Sequence, residues 1–209
     1  MTKIHIVDYG FNNLNSLFNT FSKISNLTSI SSNIEDLDKA DYIILPGVGS
    51  FKSGITNIKK MRLDSYLSKN FEKKKFLAIC LSMQLVFNKS EESPNFKGLE
   101  FLTGSIVNVQ KIESKRIINI GWERLDFTDS NNSFKNINQF NKYFFYFAHK
   151  YCLDPSTCQK NKILSNMNNT KIPAIIKHEN FIGLQFHPEK SGEAGVELVR
   201  YLIDNMNDI

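Results

Sequence analysis

The first third of the chain alternates short apolar runs with longer polar segments. Residues 3–8, 27–30 and 42–45 are short apolar or β-rich runs, which predicts three strands. Between the first two runs, residues 13–24 carry apolar side chains at helical spacing, namely Leu14, Leu17, Phe18, Phe21 and Ile24. A second helical pattern runs through Ile55, Ile58 and Leu67. It leads to residues 76–79, a continuous apolar run typical of a strand buried on both faces.

Beyond Pro94 the pattern becomes richer in strands. Strands are predicted at residues 104–109, 116–120, 143–148, 174–177 and 181–186, followed by a closing helix over 194–206. Residues 129–141 are polar and rich in Asn, which predicts a surface loop. We therefore expect one domain over residues 1–209, with an α/β fold in which a single mixed, mostly parallel sheet is flanked by helices.

Composition narrows the class of protein. The 209 residues carry three cysteines, too few for a disulfide scaffold, and no apolar run reaches the ~18 residues of a membrane span. No apolar signal-peptide stretch opens the chain, so we expect a cytoplasmic protein. The net charge of +5 comes mostly from scattered Lys, 22 against 4 Arg, which favours solvated helix faces over a nucleic-acid site.

Cys80 is the first candidate for chemistry. It stands where the buried run 76–79 passes directly into a helical segment, flanked by the small residues Ala78 and Ser82. A sharp strand-to-helix turn lifts a nucleophile out of a sheet and places it near free backbone N–H groups that favour a thiolate. The alternative is a structural cysteine that packs as a small apolar residue.

A cysteine nucleophile needs a base, and the base needs an orienting group. His187 follows an apolar strand, and Glu189 lies two residues later, so in extended chain both side chains point to one side. His5 lies within the first strand and His178 in a polar turn, while His149 could line a site or cap a strand.

Two further sequence patterns give weaker evidence of a functional site. Residues 46–51 read Pro-Gly-Val-Gly-Ser-Phe after the third strand, where glycines allow a backbone N–H to approach an oxyanion or a phosphate. His149, Cys152 and Cys158 form a loose string that lacks the close cysteine pairs of structural zinc sites. We expect no metal there.

Together these segments resemble class I glutamine amidotransferases, whose catalytic groups form a Cys-His-Glu triad. The Cys-Leu-Ser-Met-Gln segment at 80–84 is similar to their Cys-Leu-Gly-Met-Gln elbow, and residues 185–192 are similar to their His-Pro-Glu segment. The closer similarity is to the glutaminase subunits of imidazole glycerol phosphate synthase. It is carried by four further segments in the same order, at residues 8–16, 46–51, 121–122 and 146–149.

The resemblance implies roles for matching residues. Cys80 would attack the side-chain amide of glutamine, His187 would carry the proton and Glu189 would orient His187. The backbone of Leu81 and of the Val48 region would stabilise the oxyanion, and Gly49 and Gln84 would lie near the bound glutamine. No cofactor is implied.

The resemblance also implies a partner. The chain offers no separate domain that consumes ammonia, so a (β/α)8-barrel cyclase subunit would receive it in a heterodimer and make imidazole glycerol phosphate and an aminoimidazole ribonucleotide (AICAR). Four residues match positions near that interface: Asn13, Trp122, Tyr146 and Lys190. The excess of Lys would then help to dock an acidic rim of the partner.

Several residues depart from the family pattern. Ala78, Ser82 and Asn12 stand where glycines are usual, and Lys150 replaces a small hydroxyl residue. The segment 118–123 reads Ile-Asn-Ile-Gly-Trp-Glu in place of Pro-His-Met-Gly-Trp-Asn. Three alternatives stay open: a paralogous subunit that supplies nitrogen to a bacterial surface sugar, an inactive partner-stabilising subunit, and, less favoured, a cysteine peptidase.

Overall fold

The predicted strands of the first third are present and lie side by side in a computed structural model. It describes residues 2–10, 13–127, 137–158, 162–167 and 170–206. The strands are β1 (Ile4–Val7), β2 (Thr28–Ser31), β3 (Tyr42–Leu45), β4 (Lys75–Ile79), β5 (Lys89–Ser90), β6 (Ser105–Asn108), β7 (Asn119–Asp126), β8 (Phe144–His149), β9 (Tyr151–Leu153), β10 (Lys162–Met167), β11 (Pro173–His178) and β12 (Phe181–Leu184). The helices are α1 (Leu14–Ser22), α2 (Ile34–Asp38), α3 (Phe51–Lys60), α4 (Leu63–Asn70), α5 (Leu81–Leu85), α6 (Val109–Ile112) and α7 (Gly192–Asp204).

A mixed sheet flanked by helices forms the centre of the molecule, as predicted. Within the described residues it has nine strands in the order β2-β1-β3-β4-β12-β11-β10-β7-β8. The first five strands in this order are parallel to one another, and the remaining neighbouring strands pair antiparallel. Parallel pairing is therefore confined to one half of the sheet. A second sheet of three strands, β5-β6-β9, lies beside it, which the prediction of a single sheet did not include.

The parallel strands are buried on both faces. In β4, Leu77 and Ile79 pack into one apolar cluster with α1 and α7, whereas Phe76 and Ala78 pack into another with α3, α4 and α5. Because each face is covered, every position from 76 to 79 must be apolar, and this explains the continuous run in the sequence. The strand thus delivers Cys80 to the carboxyl edge of the sheet, where open α/β sheets bind ligands.

Two segments differ from the predicted pattern. The helix expected through Ile55 and Leu67 is two helices, because Arg62 adopts a left-handed conformation (φ +56°) between them. The predicted loop at 129–141 and the departure at Asn12 lie partly or wholly outside the described residues. The described end of that loop, Ile137–Lys142, is a 3-10 helix whose Ile137 and Phe140 are buried in the core. Among the described helices, none has the length and apolarity that a bilayer crossing requires.

Candidate active site

Cys80 occupies a strained turn between β4 and α5. Its backbone has φ +48° and ψ −104°, a region that residues with a Cβ rarely adopt. The turn is held because the Cys80 N–H donates to Leu184 O of β12 at 2.6 Å and the Gln84 N–H donates to Cys80 O at 3.3 Å. Strain of this kind persists where the surrounding structure enforces it, typically at functional sites. The structure therefore places Cys80 in the sharp turn that the sequence predicts.

His187 and Glu189 lie beside the thiol. The His187 side chain contacts Cys80, and its Nδ1 lies 2.8 Å from Glu189 Oε1. The two side chains are 3% and 1% exposed, so the pair is shielded from water. Because Glu189 occupies Nδ1, the ring presents its other nitrogen to the sulfur. The backbone N–H of His187 donates to Tyr146 O at 2.8 Å, which anchors this segment to β8.

The charges around His187 keep its ring protonated. Burial alone would lower its pKa, but the electrostatic and hydrogen-bond interactions with Cys80 and Glu189 outweigh burial and raise the pKa to about 10. The carboxylate is itself held by the Asn13 side-chain amide, which donates to Glu189 Oε1 at 2.6 Å. Asn13, predicted near the partner surface, therefore also contacts the orienting carboxylate.

The glycine-rich segment after β3 packs directly on the elbow. A Cβ on Gly47 would lie 2.1 Å from Ile79 O and 2.4 Å from Ser82 N, so only glycine fits there. Gly49 has φ +102°, a conformation that favours glycine. The Leu81 N–H, which the family resemblance assigns to the oxyanion, donates to Gly47 O in a long bond of 3.5 Å. The half-buried Val48 follows in the same segment.

Gln84 is buried and held in a network of amides. Its Nε2 donates to Tyr151 O at 2.8 Å and to Gln185 Oε1 at 3.1 Å. Gln185 Nε2 in turn lies 3.6 Å from Cys80 Sγ. On the other side of Tyr151 O, at 2.9 Å, is Nδ1 of His149. The network fixes the side chain that the resemblance places near the bound glutamine.

His149 is a buried neutral ring at the end of β8. Burial, together with the charges of His187 and Arg116, lowers its pKa to about 4. Its Nδ1–H therefore donates to Tyr151 O, and its Nε2 accepts from Asn119 Nδ2 at 2.9 Å. His149 therefore shares the Tyr151 carbonyl with Gln84 and lies next to the candidate site.

The remaining predicted partner residues share one exposed face. Trp122 packs edge-on against Tyr146, with ring centroids 5.8 Å apart, and Lys190 Nζ lies 5.5 Å from the centre of the Tyr146 ring. Trp122 is 54% exposed although it is large and apolar. Since Tyr146 also accepts the His187 N–H through its carbonyl, this face is directly connected to the candidate base.

The described residues that depart from the family pattern, Ala78, Ser82 and Lys150, each find a place in the fold. Ala78 is fully buried against the cluster on the α3 side of the sheet. The Ser82 hydroxyl contacts Tyr9 and Pro46. Lys150 is exposed, and its carbonyl accepts the Val109 N–H at 3.0 Å. Across the described part of the chain, no cluster of three or more His, Cys, Asp or Glu side chains is arranged to bind a metal.

Comparison with known proteins identifies the family. A family model described as glutamine amidotransferase class-I matches residues 5–204. The chain belongs to the class I glutamine amidotransferase family. Glutamine hydrolysis is consistent with this family and with the Cys80 site.

Curated relatives match over almost their whole length. The imidazole glycerol phosphate synthase subunit HisH of Oceanobacillus iheyensis is 36% identical over 199 residues, covering 94% of this chain and 96% of the relative. The subunit of the same name from Lactococcus lactis is 34% identical and covers 99% of this chain and 100% of the relative.

Solved structures show the same fold. A crystal structure described as a glutamine amidotransferase has a TM-score of 0.74 at 12% identity, covering 97% of this chain and 98% of that one. The structure of PurLQS from Thermotoga maritima has a TM-score of 0.73 at 18% identity, covering 98% and 99%. At these identities the match establishes the amidotransferase fold alone.

Sequence reasoning assigned no individual role to three residues in or next to the site, although each lies in a segment that resembles or departs from the family pattern. Gln185 lies two positions before His187 in extended chain, and this spacing alone would have placed it on the same side. Asn119 and Tyr9 carry no such signal, because each reaches the site through contacts between distant strands.

Proposed function

We propose that this protein is the glutaminase subunit of an imidazole glycerol phosphate synthase, and that it hydrolyses L-glutamine to glutamate and ammonia. The observation that carries the proposal is the contact of Cys80 with a buried, protonated His187 whose Nδ1 is held by Glu189. The relatives that match along the whole chain are named as subunits of that synthase, which supports the same assignment.

The first half-reaction forms a thioester on Cys80. The thiolate attacks the side-chain amide carbon of glutamine, and the carbonyl oxygen becomes negatively charged. The Leu81 N–H, which now donates only weakly to Gly47 O, exchanges that bond for the oxyanion, and an N–H of the Val48–Gly49 region joins it. When the C–N bond breaks, His187 gives its proton to the departing nitrogen, and ammonia leaves.

The second half-reaction returns the enzyme to its starting state. His187, now neutral, accepts a proton from a water molecule that attacks the thioester carbon. The C–S bond breaks, glutamate is released, and the Cys80 thiolate re-forms beside the imidazolium. Glu189 keeps one tautomer and one ring orientation throughout, and Gln84 contacts the bound glutamine.

An exposed apolar face beside the site supports docking to a cyclase. Alternate residues of β7 point outward, and the large apolar side chains exposed on or next to the β7–β8 pair are Ile117, Ile118, Ile120, Trp122, Tyr143 and Phe144. A cluster of this kind on one face marks an interaction surface. We propose that a (β/α)8-barrel cyclase covers it and receives ammonia, making imidazole glycerol phosphate and AICAR.

The test uses the complex with that cyclase and its ligand, with ammonia release from glutamine as the readout. We expect Cys80→Ala to abolish release, because no other described group can form the thioester. The matched control is Cys158→Ala, which removes a half-buried cysteine that is remote in sequence and outside any disulfide, and it should leave release intact. Equal release by the wild-type and Cys80→Ala complexes would refute the proposal.

A second candidate is the paralogous subunit that serves a surface-sugar synthase. It is favoured by Glu123, which stands in the segment 118–123 that departs from the family pattern and forms a 2.9 Å ion pair with Arg116. Assays of complex formation with each type of synthase separate the two candidates. An inactive partner-stabilising subunit would not capture a glutamine-analogue affinity reagent on Cys80, whereas both enzymes would.

A further inference from the structure

Two buried hydroxyl groups meet one backbone carbonyl beneath the elbow. Tyr9 follows β1, Ser82 lies in the first turn of α5, and Pro46 follows β3. The Tyr9 and Ser82 hydroxyls each contact the Pro46 carbonyl oxygen, and they also contact each other. Tyr9 and Ser82 are 1% and 2% exposed, so water does not supply these bonds.

The three contacts share two hydrogens. Burial raises the pKa of Tyr9 far above its ordinary value, so its hydroxyl remains a donor at any pH at which the protein is folded. Each hydroxyl has one hydrogen to give, and the carbonyl has two lone pairs to receive. Either hydroxyl alone therefore satisfies Pro46 O, and a buried carbonyl is left without a partner only when both are removed.

The position of Pro46 determines the position of the segment after it. Gly47 is in such close contact with the Ile79 carbonyl and with the Leu81 and Ser82 amides that a Cβ would not fit between them. Its own carbonyl accepts the Leu81 N–H. A shift of Pro46 would therefore move the backbone that packs against the elbow on both sides of Cys80.

We propose that Ser82 is a positioning residue, which together with Tyr9 fixes the Pro46 carbonyl and thereby the placement of the Gly47–Gly49 backbone against the elbow. Tyr9 provides one tether to this carbonyl, and the Ser82 hydroxyl adds a second. This inference rests on the proposed glutaminase function for its kinetic consequence, but the positioning itself is a structural claim.

The test is a double-mutant cycle of Ser82→Ala and Tyr9→Phe in the complex with the cyclase. We expect each single variant to lose less than about threefold in kcat for glutamine, and the double variant to lose about a hundredfold, well beyond the product of the single losses. KM for glutamine should change less than about threefold, because the tether acts on transition-state stabilisation. Losses that simply multiply would overturn the proposal.

A matched control separates positioning from general packing. Tyr42→Phe also removes a buried hydroxyl that donates to a backbone carbonyl, Ile203 O at 2.6 Å, but this bond lies away from the elbow. Combined with Ser82→Ala, it should give losses that multiply. Non-additivity of the same size in this control pair would assign the effect to general destabilisation and reject the positioning role.

Amide hydrogen exchange provides a readout that does not need activity. In the double variant, we expect the Leu81 and Gly49 amides to exchange about tenfold faster than in either single variant. If the wild-type complex releases no ammonia, the proposed function fails, yet this exchange pattern still supports the tether. Unchanged exchange at both amides in an active enzyme would instead reject the tether and leave the proposed function standing.

Discussion

Acid should destabilise the protein through His149, which is buried as a neutral ring between Asn119 and Tyr151. Its pKa is about 4 in the folded protein and about 6.5 when the chain is unfolded. As the pH falls through this window, the unfolded chain takes up a proton that the folded protein refuses. The free energy of unfolding therefore decreases as the pH falls from about 6.5 to about 4.

The size of the effect follows from the two pKa values. One pKa unit corresponds to about 1.4 kcal/mol, so the full shift is worth about 3 kcal/mol, of which about 2 kcal/mol falls between about pH 7 and about pH 4.5. That amount is a substantial part of the stability of a typical domain. His5, whose pKa burial also lowers, acts in the same direction.

The comparison that isolates His149 is the wild type against His149→Gln. Glutamine cannot titrate but keeps an acceptor for the Asn119 amide. Urea unfolding followed by circular dichroism at the two pH values gives a free energy for each protein, and contributions from other groups cancel in the difference. We expect the wild type to lose about 2 kcal/mol more than the variant on acidification. Parallel losses in the two proteins would show that His149 is not held neutral by the fold.

Three further predictions concern the elbow, the triad and the exposed face. Gly47→Ala should lower the free energy of unfolding by about 2 kcal/mol or more, measured by urea unfolding, because its Cβ would meet the Ile79 carbonyl; a neutral change would refute the close contact. Asn13→Ala should lower kcat/KM for glutamine about tenfold or more, since Glu189 loses a charge-assisted bond; Asn13→Asp, which adds repulsion, should be worse, and the reverse order would contradict this role. Trp122→Ala should weaken cyclase binding about tenfold by calorimetry with little loss of stability, and an unchanged Kd would remove Trp122 from the interface.

The local pattern predicted the elements well where burial is uniform. The run at 76–79 was recognisable because both faces of β4 are covered, and the closing helix because one side of α7 is apolar. The interruption of the helix at Arg62 could not be predicted, because a residue other than glycine in the left-handed conformation is not marked by its residue type. The small sheet of β5, β6 and β9 was missed because two of its strands have only two or three residues.

The candidate site was predictable where its residues are neighbours in sequence. Glu189 could be paired with His187 because they are two residues apart, and Cys80 could be placed in a turn because a strand meets a helix there. By contrast, the contact of Asn13 with Glu189 joins residues 176 positions apart. The relation of Tyr9 to Ser82 similarly depends on β1, β3 and β4 lying side by side, which no local pattern encodes.

The strand that carries His187 into the candidate site, β12, is the last of the described strands in chain order. β12 lies between β4 and β11 in the middle of the large sheet, and its Leu184 carbonyl holds the Cys80 amide. Until this strand has left the ribosome, β4 has an unpaired edge, and Cys80 lacks both its contact with His187 and the hydrogen bond that fixes its turn. Such a long-range insertion makes folding slower than local pairing would. It also means that a chain without β12 cannot bring Cys80, His187 and Glu189 together, so the candidate site is assembled only with the completed sheet.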